Sequence, residues 1–332
     1  MIPPVSEQHG NHAIGLDIGG TNIRGAVVGD DGTILAEVSE RTPETSDGTT
    51  MTKILLGITQ QLHTDHPEVS AIGVGAAGIV EWPAGLIRWA PNNSYRNWRV
   101  RDELEEATGL PATVDNDANV AALAEARLGA DRLREMVFLT VGTGVGGGLV
   151  LGGLIYRGPT GRGGELGHII VAPDGPVCGC GNRGCLEAVA SGTALTRMAR
   201  EAAAADPDGT IARIARDEQD GHVTGQTATR ATELGDPTAL GLFATLGRWL
   251  GIGIASLANM LELEAVVIGG GLVTTGDLLL APARAAYLEH AYAREARPVV
   301  EVRAGTFGTD AGVVGAALLG LEHAHDGEVH AR

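Results

Sequence analysis

The sequence AIGLDIGGTNIRGAVV, residues 13–28, decides the fold class of this 332-residue chain. Residues 13–18 are apolar except for Asp17, and residues 23–28 are again mainly apolar. Because only a short glycine turn separates them, we predict two paired strands, followed after a second turn by a third strand at 33–38. This order is a β-meander. It differs from a βαβ unit, in which a helix would follow the first glycine loop.

A second stretch repeats the plan of the first. Residues 136–141 predict a strand, 142–148 (GTGVGGG) a loop, and 149–151 a returning strand. We interpret the repetition as an internal duplication. The loop matches G-x-G-x-x-G formally, but a dinucleotide site needs a helix directly after the loop, so we reject that interpretation. Glycine turns between strands expose consecutive N–H groups that can hold phosphate oxygens, although ordinary hairpin turns are the alternative.

The remaining chain alternates strands and helices. Apolar periodicity predicts strands at 71–76, 112–114, 264–268 and 299–303, and helices at 50–64, 101–108, 117–128, 187–205, 210–218, 237–262, 276–293 and from about 310.

Composition excludes several functions. The net charge of −17 argues against nucleic acid and anionic membranes as partners. The N-terminus lacks the features of a signal peptide, and we expect no apolar stretch long enough to span a membrane. With an odd number of cysteines as well, we expect a reducing, cytoplasmic location. Lys53 is the only lysine and lies far from any glycine loop, so backbone N–H groups, helix N-termini and Mg²⁺ would have to hold a nucleotide's phosphates.

The three cysteines of the chain, Cys178, Cys180 and Cys185, lie in one short window, with His168 shortly before them. Three thiolates and one imidazole complete a tetrahedral zinc shell. The spacing C-x-C-x4-C is not the usual zinc knuckle, so three reduced thiols in a turn remain the alternative. Two glutamates, Glu165 and Glu187, flank the cluster.

Three further features allow a catalytic or a structural interpretation. Asp17, at a strand end, either forms a turn or orients hydrated Mg²⁺. Asp117 either caps a helix, as Asp115 and Asn116 also could, or accepts the proton of a sugar hydroxyl during phosphoryl transfer. The run 269–271 (GGG) suits close approach to an adenine nucleotide or a helix-packing turn.

Several motifs together resemble the ROK family of sugar kinases and sugar-responsive repressors, within the actin-like, hexokinase-like ATPase superfamily. They appear in family order, from residue 14 to about 320, and are most similar to those of the bacterial ATP-dependent glucokinases of that family. The matching segments are Leu16-Asp-Ile-Gly-Gly-Thr21, Ala90-Pro-Asn92, Asp115-Asn-Asp-Ala-Asn119, Gly142-Thr-Gly144, Glu165-Leu-Gly-His168 and Cys178-Gly-Cys-Gly-Asn-Arg-Gly-Cys185-Leu-Glu187.

The resemblance implies an α/β fold with two actin-like domains, of the hexokinase/Hsp70 ATPase type, flanking an active-site cleft. We expect a small domain of residues 1–115 plus about 308–332, and a large domain of about 116–307 with a zinc loop at 165–187. The implied reaction is ATP-dependent phosphorylation of a hexose 6-hydroxyl, D-glucose to glucose 6-phosphate, by in-line transfer.

The resemblance also implies residue roles. Asp117 would be the general base. The expected sugar-binding residues are Gly78, Asn92, Asn116, Asp117, Glu165, His168 and Glu187. The expected residues for ATP and its Mg²⁺ are Asp17, Gly19, Gly20, Thr21, Asn22, Thr143, Gly144, Gly270 and Gly271. The expected ligands of a structural Zn²⁺ are His168, Cys178, Cys180 and Cys185.

Alternatives within the same resemblance are kinases for N-acetylmannosamine, fructose, mannose or allose, and polyphosphate as the phosphoryl donor. A sugar-sensing repressor is a further alternative, disfavoured because few residues precede the first strand and the chain is acidic. The resemblance suggests a homodimer or homotetramer.

Overall fold

The structure, a computed structural model, describes residues 12–43, 47–90 and 95–330. Its strands and helices, in chain order, are β1 (His12–Ile18), β2 (Asn22–Gly29), β3 (Ile34–Arg41), α1 (Gly48–Asp65), β4 (Ala71–Ala76), β5 (Ile79–Glu81), β6 (Leu86–Trp89), β7 (Arg96–Trp98), α2 (Val100–Thr108), β8 (Ala112–Asn116), α3 (Asp117–Leu128), β9 (Met136–Val141), β10 (Val145–Leu151), β11 (Leu154–Ile155), α4 (Leu186–Ala190), α5 (Gly192–Ala205), α6 (Thr210–Glu218), α7 (Gly225–Glu233), α8 (Pro237–Met260), β12 (Ala265–Gly269), α9 (Asp277–His290), β13 (Glu301–Ala304) and α10 (Ala311–His330).

The chain divides into two compact units. Unit 1 comprises Met1–Arg134, Gly148–Gly164 and Thr306–Arg332, and unit 2 comprises Glu135–Gly147 and Glu165–Gly305. Residues 116–134 and 148–164 thus belong to unit 1, whereas the predicted domain division assigned them to the large domain.

Unit 1 contains a five-stranded sheet in the order β3-β2-β1-β4-β8. The predicted meander is confirmed, because β1, β2 and β3 are antiparallel neighbours. Strands β1, β4 and β8 are parallel, with Asp17 opposite Gly75 and Gly75 opposite Asp115. Their carboxyl ends therefore meet at one edge of the sheet, which is where ligands bind in many α/β proteins.

The two faces of this sheet have different cores. Ile14, Leu16 and Ile18 alternate along β1 and pack with Met51 and Leu55 of α1 in one cluster of buried residues. On the opposite face, the intervening positions of β1 and β4 pack against α3 and α10. Each fully buried leucine or isoleucine stabilises the fold by roughly 1.5–3 kcal/mol.

Helix α10 lies unusually close to the sheet because glycines face it. A Cβ atom on Gly15 would overlap the Val313 carbonyl oxygen, and one on Gly73 would overlap the Ala316 carbonyl oxygen. On the helix side, a Cβ on Gly315 would overlap the Val120 carbonyl oxygen of α3. Glycine is therefore required at these positions for backbone to approach backbone.

Unit 1 also contains a small antiparallel sheet, β5-β6-β7, that the sequence analysis did not predict. Its strands are three or four residues long, shorter than the runs from which strands are recognised.

The second large sheet has the order β11-β10-β9-β12-β13. Strands β12 and β9 are parallel, as are β12 and β13. Both sheets therefore consist of three consecutive strands followed by two parallel strands, which is the repeated plan that the sequence predicted. Three predicted details were wrong: residues 145–148 lie in β10 rather than in a loop, the helix predicted at 187–205 is interrupted at Ser191, and α7 was missed because it is polar. Residues 145–148 belong to a strand because β10 lies between β9 and β11 in the sheet. Glycine there makes room for neighbours: Gly147 lies against Leu166, and Gly148 lies against Ala118 and Ala122.

Helix α8 is, by length and composition, the one helix in the described ranges that could cross a membrane, contrary to our expectation that no apolar stretch is long enough. Half of its most apolar window is buried inside the protein. Cβ atoms on Gly247 and Gly251 would collide with Pro282 and with the Ala283 carbonyl oxygen of α9. The apolar sequence is thus explained by close packing against α9, as in a core helix.

We expect Gly73→Ala to lower the free energy of unfolding by about 3 kcal/mol or more, because the new methyl group must displace the α10 backbone. Gly57→Ala is the matched control, since a Cβ on this exposed helix position meets no described atom within 4 Å. We expect the control to raise the free energy of unfolding by about 0.5–1 kcal/mol, because alanine has a higher helix propensity than glycine. Urea unfolding measures both changes. Unchanged stability of Gly73→Ala would contradict the close approach of α10.

Candidate active site and metal centre

The turn between β1 and β2 is short and exposed. The Gly19 N–H donates to the Asn22 carbonyl oxygen at 3.0 Å. Thr42 holds the turn from the side: its hydroxyl donates to the Gly19 carbonyl oxygen at 2.9 Å, and its N–H donates to the Thr21 carbonyl oxygen at 2.9 Å. Gly20, Thr21 and Asn22 are exposed, so this turn can accept a ligand.

Asn116 is the residue that caps α3. Its Oδ1 accepts hydrogen bonds from the N–H groups of Ala118 at 2.9 Å and Asn119 at 3.3 Å. Its Nδ2 donates to the Gly78 carbonyl oxygen at 3.1 Å. Because Asn116 performs the capping, Asp117 is not needed for it, which weakens the purely structural interpretation of Asp117.

Two carboxylates influence each other at this edge of unit 1. Burial raises the pKa of Asp17 to about 7, and the negative charge of Asp117 adds to the increase, while Arg24 opposes it. Burial also raises the pKa of Asp117, against hydrogen bonds from Ala118, from its own N–H and from Asn116, and the charge of Asp115 adds to the increase. A carboxylate with a raised pKa is a stronger proton acceptor once ionised.

Gly312, at the start of α10, was not among the residues predicted from the sequence. A Cβ atom there would lie 2.5 Å from Asp17 Oδ2. The first turn of α10 therefore leaves room for the Asp17 carboxylate only because residue 312 is glycine. The sequence shows that this helix is rich in glycine and alanine but not which glycine faces Asp17.

Glu125 is a second residue that the sequence analysis missed. Its side chain lies on α3 and is fully buried. Its two carboxylate oxygens accept hydrogen bonds from the N–H groups of Thr306 and Phe307, both at 2.9 Å. In the sequence, Glu125 directly follows the apolar residues 120–124, and a charged residue at such a position indicates that it has a buried hydrogen-bond partner.

In unit 2, the predicted metal ligands are brought together. The ligand atoms of His168, Cys178, Cys180 and Cys185 all lie within 4.8 Å of one another. Cys178 Sγ is 3.7 Å from His168 Nδ1, and Cys180 Sγ is 3.7 Å from Cys185 Sγ. In a tetrahedral site with metal–sulfur bonds of about 2.3 Å, neighbouring sulfur atoms are about 3.8 Å apart. The four residues therefore fit a zinc ion.

The pKa values of the three thiols are shifted in different directions. Burial raises the pKa of the Cys178 and Cys185 thiols, whereas a hydrogen bond from the Asn182 N–H lowers the pKa of Cys180. Crowded thiols become thiolates readily when a metal ion supplies compensating charge. With four protein ligands, such a site has no open position for substrate and is structural.

Glu187, at the start of α4, touches both the cysteine cluster and the turn after β9. Its Oε1 lies 3.5 Å from Cys178 Sγ, and its Oε2 accepts a hydrogen bond from the Val145 N–H at 3.1 Å. A Cβ atom on Gly144 would overlap Glu187 Oε2. Gly144 is therefore required to make room for this carboxylate.

The turn at Gly142–Gly144 is tied to the N-terminus of α5. The Gly142 carbonyl oxygen accepts a hydrogen bond from the Gly192 N–H at 2.7 Å, and the Thr143 carbonyl oxygen accepts one from the Thr193 hydroxyl at 2.8 Å. The other predicted nucleotide turn is adjacent: Gly270, with φ +84°, lies directly against Val141. Gly142 and Gly271 are also neighbours, so unit 2 brings both glycine turns together.

His168 ends a 3₁₀ turn, Leu166–His168, that begins after Glu165. Gly167 lies directly against the Val145 backbone, which fixes this turn beside β10. Glu165 is exposed. Asn92 lies outside the described residues.

Unit 1 thus carries Asp17, the turn at 19–22, Gly78, Asn116 and Asp117, whereas unit 2 carries the glycine turns, Glu165, Glu187 and the metal ligands.

Comparisons with known proteins agree with these motifs. The model of the ROK family matches residues 13–323. Glucokinase from Streptomyces coelicolor is 38% identical over 312 residues, which are 93% of this chain and 97% of that protein. N-acetylmannosamine kinase from Escherichia fergusonii is 33% identical over 310 residues, covering 92% and 97%.

Among solved structures, the chain is similar to a ROK family glucokinase from Streptomyces griseus in complex with glucose and AMPPNP. The TM-score is 0.82 at 38% identity, and the match covers 94% of this chain and 99% of that one. The chain therefore belongs to the ROK family, and its fold is the actin-like α/β fold of that family.

Proposed function

We propose that this protein is a hexose kinase that transfers the γ-phosphoryl group of ATP to the 6-hydroxyl of D-glucose. The observation that carries the proposal is the similarity, over nearly the whole of both chains, to a glucokinase in complex with glucose and an ATP analogue. Curated glucokinases at 38% and 39% identity support the same reaction.

Asp117 is the proposed general base. It stands at the first position of α3, its neighbour Asn116 performs the capping, and burial raises its pKa. A carboxylate so placed accepts the proton of the 6-hydroxyl as the oxygen attacks the γ-phosphorus and the bond to the β,γ-bridging oxygen breaks. The negative charge that leaves with ADP must be neutralised by other groups.

The proposed nucleotide residues supply that neutralisation from backbone and bound metal. Asp17 would orient Mg²⁺ bound with ATP, which supplies charge compensation at the phosphates. The turn at Gly19, Gly20, Thr21 and Asn22 and the turn at Thr143 and Gly144 would present N–H groups to phosphate oxygens. Gly270 and Gly271 would allow close approach of the adenosine part.

The proposed sugar residues are those of the sequence analysis: Gly78, Asn92, Asn116, Glu165, His168 and Glu187. A zinc ion held by His168, Cys178, Cys180 and Cys185 would fix the zinc loop, residues 165–187, which carries three of them: Glu165, His168 and Glu187. His168 uses Nδ1 toward the cysteines, which leaves Nε2 for a sugar hydroxyl.

Three further statements stay predictions: the division into a small domain (1–115 and about 308–332) and a large domain (about 116–307) that close on the sugar, assembly as a homodimer or homotetramer, and a cytoplasmic location without membrane or nucleic-acid partners. Polyphosphate as donor stays an alternative to ATP.

A second candidate substrate is N-acetylmannosamine, supported by the kinase at 33% identity. The decisive experiment is a coupled assay with ATP over glucose, N-acetylmannosamine, fructose, mannose and allose, repeated with polyphosphate as donor. We expect the highest kcat/KM for glucose with ATP. A higher value for another sugar would replace glucose and leave the kinase proposal intact, whereas no turnover with any sugar would refute it.

We expect Asp117→Asn to lower kcat by at least about 10³-fold while glucose still binds, because the amide keeps the shape but cannot accept a proton. For the unmodified protein, activity should fall as the pH decreases through the pKa of Asp117, because the base must be ionised. Since burial raises that pKa, kcat/KM should begin to fall at a higher pH than an ordinary aspartate would give. Asp102→Asn, at a partly exposed position on α2, is the control. Near-normal turnover of Asp117→Asn would exclude this residue as the base.

We expect about one zinc per chain by elemental analysis, and loss of the metal in Cys180→Ser. Because the cysteine loop positions Glu187, the variant should bind glucose more weakly and unfold at a lower temperature. Val177→Ser, at an exposed position in the same loop, should retain the metal. Full activity of a metal-free protein would contradict the structural role.

A further inference from the structure

Arg157 lies between a buried carboxylate and an aromatic ring in unit 1. Its Nε donates a hydrogen bond to Asp115 Oδ2 at 2.6 Å, and its guanidinium carbon is 3.7 Å from the centroid of the Trp82 ring. The Arg157 side chain is 14% exposed and that of Asp115 is 3% exposed. An ion pair this buried depends on both partners, because the loss of one leaves an uncompensated charge.

Asp115 connects Arg157 to the first turn of α3. Its Oδ1 accepts hydrogen bonds from the Asn116 N–H at 2.7 Å and from Asn119 Nδ2 at 2.8 Å. Both carboxylate oxygens are therefore occupied by donors on different elements. Any rotation of Asp115 would break bonds on either side of Asp117.

The backbone of Arg157 is itself fixed. The Gly163 N–H donates to the Arg157 carbonyl oxygen at 2.9 Å, which closes the loop 157–163. Within this loop Gly161 has φ +82°, and a Cβ there would lie 2.5 Å from the Val80 carbonyl oxygen. The loop is thus held against β5 and Trp82, so that Arg157 is an anchor for Asp115 rather than a mobile side chain.

Charge gives Arg157 a second effect. The negative charge of Asp115 raises the pKa of Asp117, and Asp17 and Asp117 also interact. Arg24 acts on Asp17 but is itself engaged with Glu37 and Asp310. Arg157 is the cation in direct contact with Asp115, so its loss would leave that carboxylate's field uncompensated near Asp117.

We propose that Arg157 is a positioning residue for phosphoryl transfer: through Asp115 it holds the end of β8 and the start of α3, and it offsets the Asp115 charge beside Asp117. The inference rests on the proposed function, since it assigns Arg157 to the general base of that reaction.

The test compares Arg157→Met, Arg157→Lys and the double variant Arg157→Met/Asp115→Asn with unmodified protein. Arg162→Met is the matched control, because it removes the same charge from an exposed position in the same loop. With glucose and ATP, we expect Arg157→Met to lower kcat by about 10- to 100-fold with little change in KM for ATP. Arg162→Met should stay within about twofold of unmodified protein.

The double variant separates charge from shape. Removing the unpaired carboxylate should restore kcat by about fivefold or more relative to Arg157→Met, which is the non-additivity expected of contacting residues. Arg157→Lys should be intermediate, because lysine keeps the charge but lacks the planar group that stacks on Trp82.

The pH profile distinguishes positioning from general destabilisation. An uncompensated Asp115 raises the pKa of Asp117 further, and a base must be ionised to act. The acidic limb of kcat/KM should therefore move to higher pH in Arg157→Met and return in the double variant. A structural role alone would lower the unfolding temperature and reduce kcat equally at every pH.

An unshifted acidic limb in Arg157→Met, or unchanged kcat, would overturn the inference while the proposed function stands. If Arg157→Met does not fold, Arg157→Gln, which also removes the charge, takes its place in the same comparison. Failure of the unmodified protein to phosphorylate any sugar would instead refute the proposed function.

Discussion

The close approach of the α10 backbone to the backbones of β1 and β4 is the constraint on which unit 1 depends. Glycine at positions 15 and 73 removes the side chains that would otherwise hold the helix away. The same helix leaves space for the Asp17 carboxylate at Gly312 and for α3 at Gly315. Because α10 packs closely against β1, β4 and α3, it sets the distance between β1, which carries Asp17, and α3, which carries Asp117. These four glycines serve close packing rather than flexibility.

Unit 2 uses a different device to position its polar groups. Instead of a helix against a sheet, a single carboxylate contacts two loops, with one Glu187 oxygen toward the cysteine cluster and the other on the backbone of the β9–β10 turn. The Glu187 side chain thus couples the geometry of the cysteine loop to that of the turn between β9 and β10.

Sequence patterns predicted both meanders, most helices and the cysteine–histidine cluster, because periodicity and clustering of rare residues are local signals. They failed where the deciding partner is distant in sequence. Residues 145–148 form a strand because they lie in a sheet between β9 and β11, and the small sheet β5-β6-β7 consists of strands too short to recognise. The partners of Asp115 and Glu125 also lie elsewhere in the chain, so the sequence shows the charged residues but not what they bind. Residue roles came from family resemblance, which periodicity alone could not supply.

Helix α3 begins at Asp117, and Glu125 on the same helix binds the amides of Thr306 and Phe307. The two residues are separated by about 12 Å along the axis, at 1.5 Å per residue. Inserting or deleting one residue between them would turn one end by about 100° relative to the other, since each helical residue contributes that rotation. Either Asp117 would then point away from its present position, or Glu125 would lose its hydrogen bonds with the N–H groups of Thr306 and Phe307. Length variation in this protein should therefore accumulate in its loops, while the register of this one helix stays fixed.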